Sequence, residues 1–219
     1  MLEVLDLGSA SQVHRQWKNI FPDQASFSQE QIKTFWENII GNIDLPKGDN
    51  ANLSMAVPCC YDCLNRSIIM NILTHNYGYK KINILPRSIA LLCGYTALHP
   101  EVDWRGNMVC ISADDDNLDF SFISISESII CLELQYIGNW QNIQEEVALL
   151  GLLSNPGWNI SKILYANSSS VRDLHLPGAD LDKHLNIIKV EEPDQIIQIG
   201  LSQDLMIAAS QGKKRLTII

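Results

Sequence analysis

Short apolar strands and amphipathic helices alternate along this chain, and that alternation restricts it to an α/β architecture. "LSMAV" (residues 53–57) ends at Pro58, which cannot donate to a strand ladder. The spacing then predicts a helix from Asp62 to about Asn76, a strand "KINIL" and an apolar helix "RSIALLCGY" after Pro86. "MVCIS", "DFSFISI" and "SIICLELQYIG" read as a three-stranded antiparallel meander. "SKILYA" and "LNIIKV" read as further strands. "EPDQIIQIGLSQDLMIAAS" is predicted to be a helix with proline in its first turn. "RLTII" is a candidate last strand. "LEVLDLG" is a candidate strand ending at Gly8, with a short helix over 10–20 and another over "NIQEEVALLGLL".

One helix start is signalled residue by residue. Ser28 is a natural N-cap, Gln31 holds the capping-box position, and Phe27 and Ile32 have the spacing of a hydrophobic staple. Ile32, Phe35, Trp36, Ile39 and Ile40 then follow the i, i+3, i+4, i+7, i+8 pattern, and Gly41 closes the helix. The polar break over His99–Asn107 divides the sequence. The expected organisation is an N-terminal strand and short helix over 1–27, a first lobe over 28–104 and a second over 105–219.

Composition removes several function classes. The 219 residues are 46% apolar and 19% charged, which is globular usage. A net charge of −9 argues against a general nucleic-acid or anionic-membrane surface. No run approaches the roughly 20 apolar residues of a membrane span. "MLEVLDLGSASQ" has no basic region ahead of its apolar stretch, so no secretory leader is expected. With six cysteines and no leader, the expectation is a cytoplasmic, reducing location.

Candidate chemistry is sparse. Cys60 and Cys63 form a C-x-x-C between a strand and a helix start, where a redox dithiol would sit. No second C-x-x-C and no suitably spaced histidine completes a zinc site, so no metal is expected there. Cys93, Cys110 and Cys131 lie in apolar runs and read as core. The five histidines do not pair at helical spacing, and there is no G-x-S-x-G elbow. Ser168–Ser170 read as helix-capping serines. In the turn "ADDDN", Asp114, Asp115 and Asp116 fail as a calcium loop. Leu118 takes a ligand position, no glycine follows, and the distal glutamate is missing. As a solvated hairpin tip the turn is ordinary.

From Phe27 to about Ser210 the order of segments resembles the nucleotide-binding domain of the seventy-kilodalton heat-shock chaperones, of the actin-like ATPase superfamily. "FSQEQIKTFWENIIG" is similar to that family's F-S-P-E-E helix. "MAVPCCYDCLNRSII" resembles V-T-V-P-A-Y-F-N-D-x-Q-R-Q, with Val57, Pro58 and Arg66 in place. "INILPRSIALLCGY" resembles I-I-N-E-P-T-A-A-A-L-A-Y-G. "MVCISADDDNLDFSFI" aligns without a gap on V-L-V-F-D-L-G-G-G-T-F-D-V-S-I-L, with Asp119 and Ser121 matching. "ILYANSSSVRDL" is similar to V-L-V-G-G-S-S-R-I-P-K-V. "EPDQIIQIGLS" is similar to N-P-D-E-A-V-A-L-G-A-A, with Pro193, Asp194 and Gly200 matching. The resemblance implies an actin-like (ribonuclease H-like) ATPase fold, reduced and lacking the outer subdomains. The gap between Ser121 and Ile163 is too short for the subdomain that closes over adenine. No peptide-binding domain is expected after Ile219.

The departures fall on the nucleotide side. Asp114, Asp115 and Asp116 replace glycines whose backbone N–H groups approach phosphate. At about 5 Å each carboxylate–phosphate repulsion costs roughly 1 kcal/mol in water and more in a closed cleft. Ser112 replaces the acid before that turn, Leu85 the acid of N-E-P-T, and Ala166–Asn167 the adenosine-side glycines. Val4–Ala10, with Asp6 and Gly8, faintly resembles the first phosphate loop I-D-L-G-T-T. The implied function is a non-catalytic interaction module, chaperone or assembly related, with ATP binding lost and no cofactor. Its expected occupant is a protein partner or a second copy, with no nucleic acid and no membrane. The alternatives are a divergent ATPase holding Mg²⁺ and ATP through Asp119, the acidic turn and Asp6–Gly8, and a thiol-redox protein using Cys60 and Cys63.

Overall fold

A computed structural model describes residues 2–6, 28–43, 45, 51–57, 63–113, 117–126, 129–139, 156–167, 186–210 and 217–218. The expected helices over 10–20 and 142–153, the Phe27 staple, the Asp62 cap and the Ser168–Ser170 cap lie outside them.

The described elements follow the sequence pattern closely. In order they are β1 (Leu2–Asp6), α1 (Gln29–Gly41), β2 (Asn52–Val57), α2 (Cys63–Tyr77), β3 (Lys81–Pro86) and α3 (Arg87–Leu98). Next come β4 (Gly106–Ala113), β5 (Asn117–Ser126), β6 (Ile129–Asn139), a 3₁₀ turn at Pro156–Trp158, β7 (Ile160–Asn167), β8 (Asn186–Val190), α4 (Pro193–Ser210) and β9 (Thr217–Ile218). The start of α1 realises the capping box in both directions. The Ser28 side chain accepts from the Gln31 backbone N–H, and the Gln31 side chain accepts from the Ser28 N–H at 2.9 Å.

The strands form two sheets. The first is wholly parallel in the order β1-β2-β3. The second runs β8-β7-β4-β5-β6-β9. Its β4-β5-β6 part is the expected antiparallel meander, while β7 and β8 run parallel to β4.

Strand alternation sets the layers. From β2, Leu53, Met55 and Val57 face α1 and α2, where they join Ile32, Phe35, Trp36, Ile40, Ile69 and Leu73 in one core. Trp36 is fully buried, and its indole N–H donates to Asn65 Oδ1 at 2.9 Å. From the opposite face of the first sheet, Ala56 and Leu85 enter a second core with α3, α4 and one face of the second sheet. Helices α3 and α4 therefore form the layer between the two sheets. Ser88 to Leu92 of α3 are all buried, as expected of a helix that is apolar on every side.

The two middle helices touch backbone to backbone. A Cβ on Gly94 would collide with the carbonyl of Ile196, and one on Gly200 with the carbonyl of Ala90. Only glycine allows this approach.

Candidate functional site

The C-terminal ends of parallel strands are the usual ligand position in open α/β sheets. Here they collect most of the residues picked out from the sequence. In the first sheet, Asp6 of β1 is in register with Ala56 of β2, and Ala56 with Leu85 of β3. In the second sheet, Ser112 of β4 is in register with Asp119 of β5 on one side and Ala166 of β7 on the other. Ala113 is paired with Asn167 at the next position. Ser112, Asp119 and Ala166 thus share a row, on the sheet face that carries Cys110 and Leu164 toward α3 and α4. Antiparallel pairing of β4 with β5 brings Ser112 and Asp119 together. Asp114, Asp115, Asp116, Gly8 and Cys60 lie outside the described residues.

The residue that organises this place is Arg87, which sequence reasoning did not single out. Pro86 ends β3, its ring holding φ at −56°, and Arg87 opens α3 directly afterwards. Arg87 is only 4% exposed. Its Nη1 donates to Ser112 Oγ at 2.9 Å and its Nη2 to Asp194 Oδ1 at 2.7 Å. Asp194 stands in the first turn of α4, where the helix dipole favours a carboxylate. One guanidinium therefore ties β4, α3 and α4 together. One residue on, Ser88 Oγ and Ser121 Oγ share a buried hydrogen bond of 2.7 Å. The available signal was a lone charge opening an otherwise apolar helix, since a buried cation needs a partner.

Asp119 is 9% exposed. Burial first, then the Asp119 charge and then Cys93, push the Cys110 thiol far above the usual thiol range. Leu85 is buried at 5% and brings no ligand atom to the strand ends. Among the described residues, no group of three or more His, Cys, Asp or Glu is placed to hold a metal ion. Cys63 opens α2 on the protein surface, away from the buried Cys110.

No protein-family model and no curated protein matches the sequence. Solved structures do match. Ta0583, an archaeal actin homolog, superposes with a TM-score of 0.50 at 9% identity, over 82% of this chain and 77% of that one. The fold is actin-like. MreB5 of Spiroplasma citri bound to ADP gives a TM-score of 0.49 at 11% identity, over 84% of this chain and 77% of that one. The apo psk41 ParM protein gives 0.46 at 8% identity, over 85% and 75%. The expected actin-like fold rests on the superposition with Ta0583. The narrower likeness to heat-shock chaperones rests on the sequence motifs alone. No helix among the described residues is long and apolar enough to cross a membrane.

Proposed function

We infer that this chain is a non-catalytic, actin-like interaction module of the cytoplasm, with ATP binding lost and a chaperone or assembly role. The observation that carries this reading is the Arg87 bridge. The resemblance puts a threonine at that position, directly after the N-E-P acid and proline. Here Leu85 supplies a buried hydrocarbon and Arg87 a guanidinium already committed to Ser112 and Asp194. An apolar Leu85 cannot hold a hydrated cation, because a hard cation takes oxygen ligands. Both substitutions support the reading that phosphate–metal binding is lost. The aspartates at 114–116 add three charges that oppose phosphate. The scaffold is retained, and its occupant is a protein partner or a second copy.

Calorimetric titration with ATP, with and without magnesium, tests this directly. The expected result is no binding heat in either condition. Micromolar binding that disappears when Asp114–Asp116 are changed would overturn the reading. One observation favours a divergent Mg-dependent ATPase instead: Asp119 is in register with Ser112 at the strand ends and nearly buried. That reading requires magnesium-dependent hydrolysis that is lost in both Asp6→Ala and Asp119→Asn.

A further inference from the structure

The turn from β8 into α4 is made against the preference of its residues. Only Glu191 and Glu192 separate Val190, which ends β8, from Pro193, which opens α4. Glu192 makes the turn with φ at 51°. A residue with a side chain rarely takes that left-handed conformation, because its Cβ crowds the following carbonyl. Among the described residues the other non-glycine case is Asn159 at φ 44°, and asparagine is a type that tolerates it. Glutamate has no such tolerance. The Glu192 carbonyl accepts from the backbone N–H groups of Gln195 and Ile196 at 3.1 and 3.3 Å, so α4 starts on the strained residue.

That start is held from outside. Asp194 Oδ1 accepts from Arg87 Nη2 at 2.7 Å. Arg87 is itself fixed, since it follows Pro86 at the end of β3 and its Nη1 donates to Ser112 of β4. Further along α4, about 9 Å from Asp194 on the helix axis, Gly200 meets α3 backbone to backbone at Gly94. Helix α4 is therefore pinned to α3 at two places. The glycine crossing fixes a distance but leaves an angle free, and the Arg87–Asp194 pair fixes that angle. Backbone strain persists only where the surrounding structure holds it. Here the holding contact is identified.

We propose that the Arg87–Asp194 pair is a latch on a strained corner. It holds the first turn of α4 in place against the left-handed Glu192. Its release lets the corner relax and α4 turn about the Gly94–Gly200 crossing, which changes the shape of the strand ends. Arg87 is buried and Asp194 is half exposed, so the latch opens from the Asp194 side, where a competing cation reaches the carboxylate. The latch goes beyond the interaction-module reading and does not depend on it, since every contact lies within the chain.

Native-state hydrogen exchange of the full chain, read by mass spectrometry, tests it. Arg87→Met removes the tether without touching the corner. It is expected to speed exchange over residues 193–201 about tenfold and to leave residues 63–77 of α2 unchanged. Adding Glu192→Gly removes the strain and should return the corner to within about threefold of wild type. Adding Glu192→Gln instead loses the same charge, keeps the side chain and should leave exchange fast. In the chain that keeps Arg87, Glu192→Gly alone should exchange more slowly over 193–201 than Glu192→Gln. The proposal is overturned if Arg87→Met leaves the corner as slow as wild type, or if exchange rises equally along the chain. It is overturned too if Glu192→Gln rescues as well as Glu192→Gly. Should Arg87→Met not fold, equal exchange in the two single Glu192 variants overturns it. ATP binding in the calorimeter would end the non-catalytic reading and leave this result standing.

Discussion

Gly94 and Gly200 face each other where α3 crosses α4, and neither helix has room for a methyl group at that point. A Cβ at Gly94 would meet the Ile196 carbonyl and the Gly200 N–H, and one at Gly200 would meet the Ala90 carbonyl and the Gly94 N–H. These two helices are the layer on which both sheets rest, so their spacing sets the distance between the sheets.

Two effects oppose each other in Gly94→Ala and Gly200→Ala. Helix propensity alone would stabilise either change by about 1 kcal/mol. The collision is with backbone, which cannot rotate away, and overpacking of this kind costs about 1–3 kcal/mol or more. The collision wins, and each variant is expected to lose stability in urea unfolding. The double variant should cost less than the two singles together, because the first methyl already parts the helices. Gly41→Ala at the end of α1 meets nothing within 4 Å and should be neutral or slightly stabilising.

The Arg87–Asp194 pair should respond asymmetrically. Arg87 is buried, whereas the Asp194 side chain is 54% exposed. Asp194→Asn removes one counter-charge from a buried guanidinium and is expected to cost about 1–3 kcal/mol, below the full buried-pair penalty because one partner reaches solvent. Arg87→Met keeps much of the volume and removes the buried charge. It leaves Asp194 solvated at a helix N-terminus, where a carboxylate is welcome. Chemical denaturation should rank Asp194→Asn as the more damaging change. The opposite order would show that Arg87 acts mainly through its other contacts.

The indole of Trp36 supplies a separate test of the first core. Asn65→Ala removes the acceptor of a buried N–H and opens a small void, with an expected loss of about 1–3 kcal/mol. Trp36→Phe removes the donor and also much more packed surface, so it should cost more. Thermal unfolding followed by circular dichroism separates the two. Equal losses would show that the hydrogen bond dominates over packing.

These contrasts also mark what could be read before the structure. The Ser28–Gln31 capping box was legible because both partners lie within one turn and each residue type has one physical role there. The β4-β5-β6 meander was legible because period-two burial is a local pattern. Arg87 and Asp194 are separated by 107 residues, and nothing local to either reveals the other. Gly94 and Gly200 read as ordinary glycines until the helices are crossed. Ser112, Asp119 and Ala166 were singled out only through the family resemblance, and their shared row is a consequence of strand register.

Thiol chemistry gives the last prediction, with a pH dependence whose sign is fixed. Cys110 is fully buried and its thiol is held protonated by desolvation, with the Asp119 charge adding to the effect. Cys63 is exposed on α2. Iodoacetamide labelling of the native chain, read by peptide mass mapping, should modify Cys63 and spare Cys110 until the protein unfolds. Because the folded thiol titrates above the unfolded one, its contribution is fully present below the ordinary thiol value of about 8.5. It is lost as pH rises beyond that, at about 1.4 kcal/mol per pH unit, because the unfolded chain ionises first. Cys110→Ala should therefore be less stable than wild type near neutrality and should lose stability less steeply above about pH 8.5. Parallel alkaline slopes for the two proteins, or rapid native labelling of Cys110, would show that this thiol is not sealed in the layer between the sheets.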